Sequence, residues 1–446
     1  MPVLGKKEKR RERLGMGKSK KIVQTVKGTR DFYPEKMAVR TWLYTKVREV
    51  SESFGYQEYE GPFLESIDLY AAKSGEELVK EQSFVFPDRG GNLIALRPEL
   101  TPTLARMVAQ KQGQLTFPVR WWSFGPFWRY ERPQKGRTRE FFQWNLDLLG
   151  TAATVADVEI VSVIADFLHR VGLSPSDVSI EVNNRQLMDA QLSKIGVMEN
   201  KKAVFRLIDR KEKLKHDAWV SYASETGLTS QQIDDLIALL ENEDLWEESA
   251  ELIRFFELIE AVGLRDYIHY NPGIIRGLDY YTGIVYEAKS KNPHFRRSIL
   301  GGGRYDNLLA DVGGNPLTGV GFAMGDVVIS LLLEEMGKLP STLGNPPAPL
   351  LVTIFDEERM ADSLRVARSI RESGINASIY PGVTKLGKQF KYADRIGAWV
   401  VVVVGPDEAA NTMVTVKNLK NGTQNTISQK SLPEYLANLL ETHVPS

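Results

Sequence analysis

Cysteine is absent from all 446 residues. That excludes disulfide staples, thiol nucleophiles and thiolate zinc sites, and it fits a reducing compartment such as the cytoplasm. No apolar run approaches the roughly 20 residues that a membrane-spanning helix needs, so no membrane partner is expected. Net charge is zero, with 57 basic and 57 acidic residues, so overall charge does not announce a polyanionic partner. Histidine is scarce. His169, His216, His269, His294 and His443 lack metal-ligand spacing, and no metal site is expected from them. The rest is ordinary soluble composition, 42% hydrophobic and 26% charged, in a chain long enough for two or three domains.

Charge is distributed unevenly. Residues 1–21 form a basic arm, with Glu8 and Glu12 as the acidic interruptions between Lys6 and Lys21. It has no apolar core of a signal peptide, and its acids argue against a transit peptide. A solvated disordered arm and a phosphate-backbone contact both fit it. Order is expected from Ile22. Pro34 opens a helix carrying Trp42, Leu43, Val47, Val50 and Phe54, and Gly55 closes it. A strand is expected over Tyr56–Glu65, with Pro62 marking an edge or interface position. Strands at 92–96, 119–124 and 141–149 and helices at 101–110 and 156–171 follow. Residues 175–263 read as a mainly helical insertion, with one strand at 178–182 and helical spacing at Ile233, Leu236, Ile237 and Leu240. Residues 337–349, with four prolines, read as a linker. From 350 to 446 strand and helix alternate, as in a small α/β domain.

Six stretches gather chemistry. Arg129, Arg132, Lys135, Arg137 and Arg139 crowd around Pro133 and Gly136, which imply a loop between two strands. Guanidinium groups there suit phosphates, although a solvated basic loop has the same composition. Glu131 either bonds an amine or ribose or pairs with Arg132. Arg97-Pro98-Glu99-Leu100-Thr101-Pro102 is either a helix start or a polar site. Gln143 and Asp147 share one face of a strand, where burial requires a ligand or a backbone partner. Arg276-Gly277-Leu278-Asp279-Tyr280-Tyr281-Thr282-Gly283 combines a cation, a carboxylate and two phenols. Gly301-Gly302-Gly303-Arg304-Tyr305-Asp306 allows close backbone approach, and Gly319 to Asp326 leads a glycine-bearing strand into an apolar helix.

Together these stretches resemble the motifs of the histidyl-tRNA synthetases, class II aminoacyl-tRNA synthetases, over residues 27 to the C-terminus. The resemblance implies an α+β fold: an antiparallel sheet flanked by helices over 22–336, interrupted by the helical insertion, then an anticodon-binding α/β domain over 350–446. It implies ATP-dependent ligation of L-histidine to tRNA(His) through histidyl-adenylate, with ATP and Mg2+ as cofactors and a homodimer as the assembly. Arg129 and Arg276 are then catalytic, binding the histidine carboxylate and the ATP α-phosphate. Glu99 and Thr101 hold the α-ammonium, Gln143 lies near the carboxylate, Asp147 reads the imidazole, and Tyr280 and Tyr281 line its pocket. Glu131, Arg137, Phe141 and Arg304 are assigned to ATP, and Arg132, Gln134 and Lys135 to tRNA. Lys388, with Lys385, Gln389, Lys391 and Arg395, is a candidate for anticodon contact or else part of a solvated helix face. Two positions depart from the family pattern: Leu100 stands where many relatives have glycine, and Val328 stands where most carry an ATP-clamping arginine. A catalytically silent regulatory subunit of histidine biosynthesis is the alternative. A synthetase for another amino acid and a sensor of uncharged tRNA fit the motifs less well.

Overall fold

The computed structural model describes residues 22–71, 82–275, 281–295, 297–307 and 309–441. The basic arm, Arg276 and Tyr280 lie outside the described residues. Two compact units divide at Leu339 and Pro340. No helix among the described residues is long and apolar enough to cross a membrane.

The strands of the first unit are β1 (Gln57–Glu58), β2 (Leu64–Ser66), β3 (Phe84–Pro87), β4 (Leu93–Leu96), β5 (Val119–Trp128), β6 (Glu140–Leu149), β7 (Val178–Asn184), β8 (Ile268–Tyr270), β9 (Ile284–Ser290), β10 (Ser298–Tyr305) and β11 (Gly319–Gly325). Eight of them form one sheet in the order β1-β5-β6-β11-β10-β9-β7-β8. Its central pairs, from β5 through β7, are antiparallel, and the two outermost pairs are parallel. The expected antiparallel sheet with flanking helices is therefore present. β2, β4 and β3 make a separate small sheet.

Alternation along β6 divides the sheet into a core face and a site face. Trp144, Leu146 and Leu148 point into the main core. There they meet helix α1 (Pro34–Ser53) through Leu43 and Val47, and helix α3 (Thr154–Arg170) through Ile160, Ile164 and Phe167. Trp144 packs edge-on to Phe322 at 4.6 Å and tilts against Phe167 at 5.1 Å. Gln143, Asn145 and Asp147 take the opposite face. Helix α2 (Thr101–Lys111) follows Pro98-Glu99 and packs Leu104 and Val108 into a second, smaller core on that side. Helix α4 (Asp326–Glu335) begins where β11 ends.

Two sequence expectations need correction. Tyr56–Glu65 is not one strand: β1 joins the large sheet, the chain breaks at Gly61-Pro62, and β2 joins the small one. Pro62 has no N–H to continue a ladder, and the carbonyl of Gly61 instead accepts from Arg97. Arg304, expected at ATP, is built into the fold. It is 4% exposed and spends all five N–H donors on protein. Nε and one terminal nitrogen go to Asp157, and the rest go to Thr151 O, Thr318 Oγ1 and Ala153 O. Burial pushes the Asp157 carboxyl up to about 6, against the pull of Arg304. Removing one member of such a pair strands a buried charge. Asp157→Ala is expected to cost about 3–5 kcal/mol, read from the urea midpoint of the first unit's unfolding.

The stretch 175–263 opens on β7, a member of the large sheet, and continues as helices at Arg185–Lys194, Lys201–Asp209, His216–Glu225, Ser230–Glu241 and Ala250–Ala261. In the second unit β12 (Leu350–Val352), β13 (Ala377–Ile379), β14 (Val400–Val403), β15 (Met413–Asn418) and β16 (Gln424–Ser428) form a sheet in the order β13-β12-β14-β15-β16. Val400, Val401 and Val402 are fully buried, as a strand covered on both faces requires.

Candidate active site

The β5–β6 hairpin carries the basic loop. Gly136 has φ 77°, a left-handed value that lets the loop turn back between Gln134 and Arg137, which exchange two backbone hydrogen bonds. The loop base is tied down. Gly28 O accepts from the N–H groups of Arg139 and Glu140. Asp326, at the first position of α4, accepts from Arg30 Nη2 at 2.9 Å and from Phe142 N at 2.8 Å. An acid suits that helix end. Burial raises its pKa, and the Arg30 charge opposes the rise.

Two cavities open beside this hairpin. One is lined by Glu131, Gly136, Arg137, Thr138 and Phe141 from the hairpin, and by Gly325, Val327 and Val328 from the β11–α4 junction. Within it Arg137 Nε pairs with Glu131 Oε2 at 2.5 Å. The other is lined by Glu99, Thr101, Gln143, Asn145, Asp147, Tyr281, Gly301 and Tyr305. Arg129 lines both. Its Nε donates to Pro98 O at 2.9 Å, and its guanidinium lies 5.3 Å from the Phe141 ring centre. One cation thus stands where a cavity bearing Arg137 and Phe141 meets a polar, acid-lined one.

The second cavity has an acidic floor. Asp147 is 6% exposed, and its Oδ1 accepts from the Tyr305 hydroxyl at 2.5 Å. Burial pushes its carboxyl up to about 7, while the Tyr305 hydrogen bond pulls the other way. Gly321 makes room for this carboxylate, because a Cβ there would lie 2.2 Å from Asp147 Oδ1. Glu99 is 7% exposed and is a second acid on the wall. Such a pocket suits a small zwitterion with a polar, proton-donating side chain.

Most of the expected residues meet here. Glu99, Thr101, Arg129, Gln143, Asp147 and Tyr281 line one cavity, and Glu131, Arg137 and Phe141 line the other. Arg132, Gln134 and Lys135 are exposed on the loop, Lys135 within 3.6 Å of Glu335. Lys388 is exposed on its helix in the second unit. Gln389 beside it is no surface contact: it is fully buried, bonding Ile354 N, Ile354 O and Thr384 O. Asn145 and Tyr305 were missed. Asn145 sits between Gln143 and Asp147 on the same face, so period-two alternation already pointed to it. Tyr305 follows Arg304 and therefore faces the opposite side of β10.

Comparisons with known proteins point to one family. The family model described as histidyl-tRNA synthetase matches residues 28–326, and an anticodon binding domain model matches 349–439. A histidine–tRNA ligase of Leptospira biflexa is 36% identical over 425 residues, covering 93% of this chain and 97% of that protein. A chloroplastic/mitochondrial histidine–tRNA ligase of Arabidopsis thaliana is 38% identical over 417 residues, covering 91% and 85%. The solved histidyl-tRNA synthetase of Nostoc sp. PCC 7120 superposes with a TM-score of 0.78 at 24% identity, covering 93% of this chain and 99% of that one.

Proposed function

The chain belongs to the histidyl-tRNA synthetase family, and from that membership we propose how its residues ligate L-histidine to tRNA(His) at the expense of ATP. In the first step the histidine carboxylate attacks the α-phosphorus of ATP, giving histidyl-adenylate and pyrophosphate. In the second the terminal ribose hydroxyl of the tRNA attacks the acyl carbon and releases AMP. The first step brings two anions together, so fixed positive charge and alignment dominate its barrier. The observation that carries the reading is Arg129, shared by the two cavities. From there it reaches the carboxylate and the α-phosphate at once. Arg276 supplies the second fixed cation on the strength of the family motif.

The remaining roles follow the chemistry of each wall. Glu99 and Thr101 receive the α-ammonium, Gln143 lies by the carboxylate, and Asp147 accepts the imidazole N–H. Tyr281 and Tyr280 wall the ring. Phe141 stacks on adenine, Glu131 accepts from its amino group, and Arg137 meets the outer phosphates. Among the described residues no three His, Cys, Asp or Glu side chains cluster as a metal site. Magnesium would be carried on the nucleotide phosphates, with water completing its shell. Arg132, Gln134 and Lys135 meet the acceptor end of the tRNA, and Lys388 in the 350–446 domain meets the anticodon. The cytoplasm is the proposed compartment. A regulatory subunit without its own chemistry is less well supported, because the anticodon-binding unit and the acid-lined pocket are both kept.

Incubation with ATP, labelled histidine and a tRNA pool tests this reading. Acid-precipitable label with histidine, and none with glycine, threonine or proline, is expected. No charging by folded protein would refute it. A homodimer is also proposed, because Phe63, Leu64, Val85, Phe86 and Leu93 on or beside the small sheet are each 38–51% exposed. Light scattering is expected to give twice the chain mass, and a monomer would exclude the dimer.

A further inference from the structure

Val328 leaves the nucleotide cavity without a cation on α4. A different guanidinium stands at its rim. Arg297, on the approach to β10, lays its stem against the basic loop: a Cβ on Gly136 would lie 2.9 Å from Arg297 Cδ and 3.2 Å from its Nε. Gly136 also lines the nucleotide cavity, so the two spaces adjoin. Leu331, three residues along α4 from Val328, lines the Arg297 side. Arg297 is half-buried and has no ion-pair or hydrogen-bond partner among the described residues. Burial and the neighbouring Arg137 charge lower its pKa, while Glu131 opposes them. Two arginines held beside one another with a single carboxylate between them are short of negative charge.

We propose that Arg297 is an ATP-binding residue, gripping the outer phosphates together with Arg137 and supplying the positive charge that Val328 does not. The assignment rests on the ATP-dependent reading of the site given above. A triphosphate terminus carries the charge and acceptor oxygens to engage both forks.

The test is histidine-dependent pyrophosphate exchange by full-length Arg297→Ala and Arg297→Lys, without tRNA. The alanine variant is expected to raise the KM for ATP about tenfold or more, with the KM for histidine unchanged. Lysine is expected to recover part of the loss. An unchanged KM for ATP in the alanine variant would overturn the assignment, and so would an equal rise in both KM values. Normal exchange with impaired charging would overturn it in favour of a tRNA contact. If alanine lowers the melting temperature, the lysine variant decides by the same KM split. An inactive parent chain would instead defeat the underlying reading, and that outcome is separable because it appears before any substitution is made.

Discussion

Arg129→Ala is expected to reduce histidine-dependent pyrophosphate exchange about 100- to 1,000-fold, the scale of losing one preorganised charge donor at a reacting centre. The side chain is half-buried, and among the described residues its one side-chain hydrogen bond runs from Nε to Pro98 O. Its terminal nitrogens are left for substrate. Losing the single internal bond costs about 1 kcal/mol, so the fold survives and the melting temperature moves by a few degrees at most. Arg129→Lys keeps the charge but not the planar fork that spans carboxylate and phosphate, and it is expected to remain well below the parent. In the proposed role the cation serves both substrates, so kcat is expected to fall along with both apparent affinities. An alanine variant within about threefold of the parent would remove Arg129 from the chemistry.

Asp147→Asn is expected to raise the KM for histidine about 100-fold while leaving the KM for ATP near its parental value, since a charge-assisted bond to the imidazole is lost in a buried site. The same variant is expected to be more stable than the parent when no substrate is bound. The Asp147 carboxyl titrates at about 7 in the folded chain, well above an unfolded aspartate. Between those values the folded state keeps a proton that the unfolded state has released. Stability therefore falls as pH rises through that window and levels off above about 7. Asparagine has no such charge, and a gain of roughly 1–3 kcal/mol over the parent is expected at pH 8 from denaturant unfolding. Histidine binding has the opposite preference. In the proposed role a neutral imidazole donates to the ionised carboxylate, so the KM for histidine is expected to rise as pH is lowered from 8 toward 6.5. That dependence should shrink in the asparagine variant to the part set by protonation of free histidine's own imidazole. A pH-independent parent would show that Asp147 is not the titrating acceptor.

Local pattern revealed what local physics determines. Pro34, Gly55 and the apolar residues between them marked α1 because a helix start, a helix stop and a 3.6-residue stripe are each encoded within a few residues. Pro133 and Gly136 between two apolar runs marked the β5–β6 hairpin. Gln143 and Asp147 share a site face because strand alternation is strict. What stayed hidden depends on partners distant in sequence. The membership of β7 in the large sheet is decided by β9, about a hundred residues later. The glycine run at 301–303 has no apolar face, so nothing local distinguished Arg304 from Tyr305. Their distant partners separate them: Arg304 pairs with Asp157 on α3, and Tyr305 reaches Asp147 on the site face. Gln389 resembled its basic neighbours until its bonds to Ile354 and Thr384 placed it inside.

The central claim is that two cavities joined at Arg129 activate histidine with ATP. Pyrophosphate exchange into ATP by the full chain tests it most directly, with histidine, glycine, threonine and proline in parallel and no tRNA present. Exchange with histidine alone is the predicted result, and it would also show that Val328 is compatible with catalysis. Folded protein that exchanges with none of the four, or with another amino acid in place of histidine, would contradict the account.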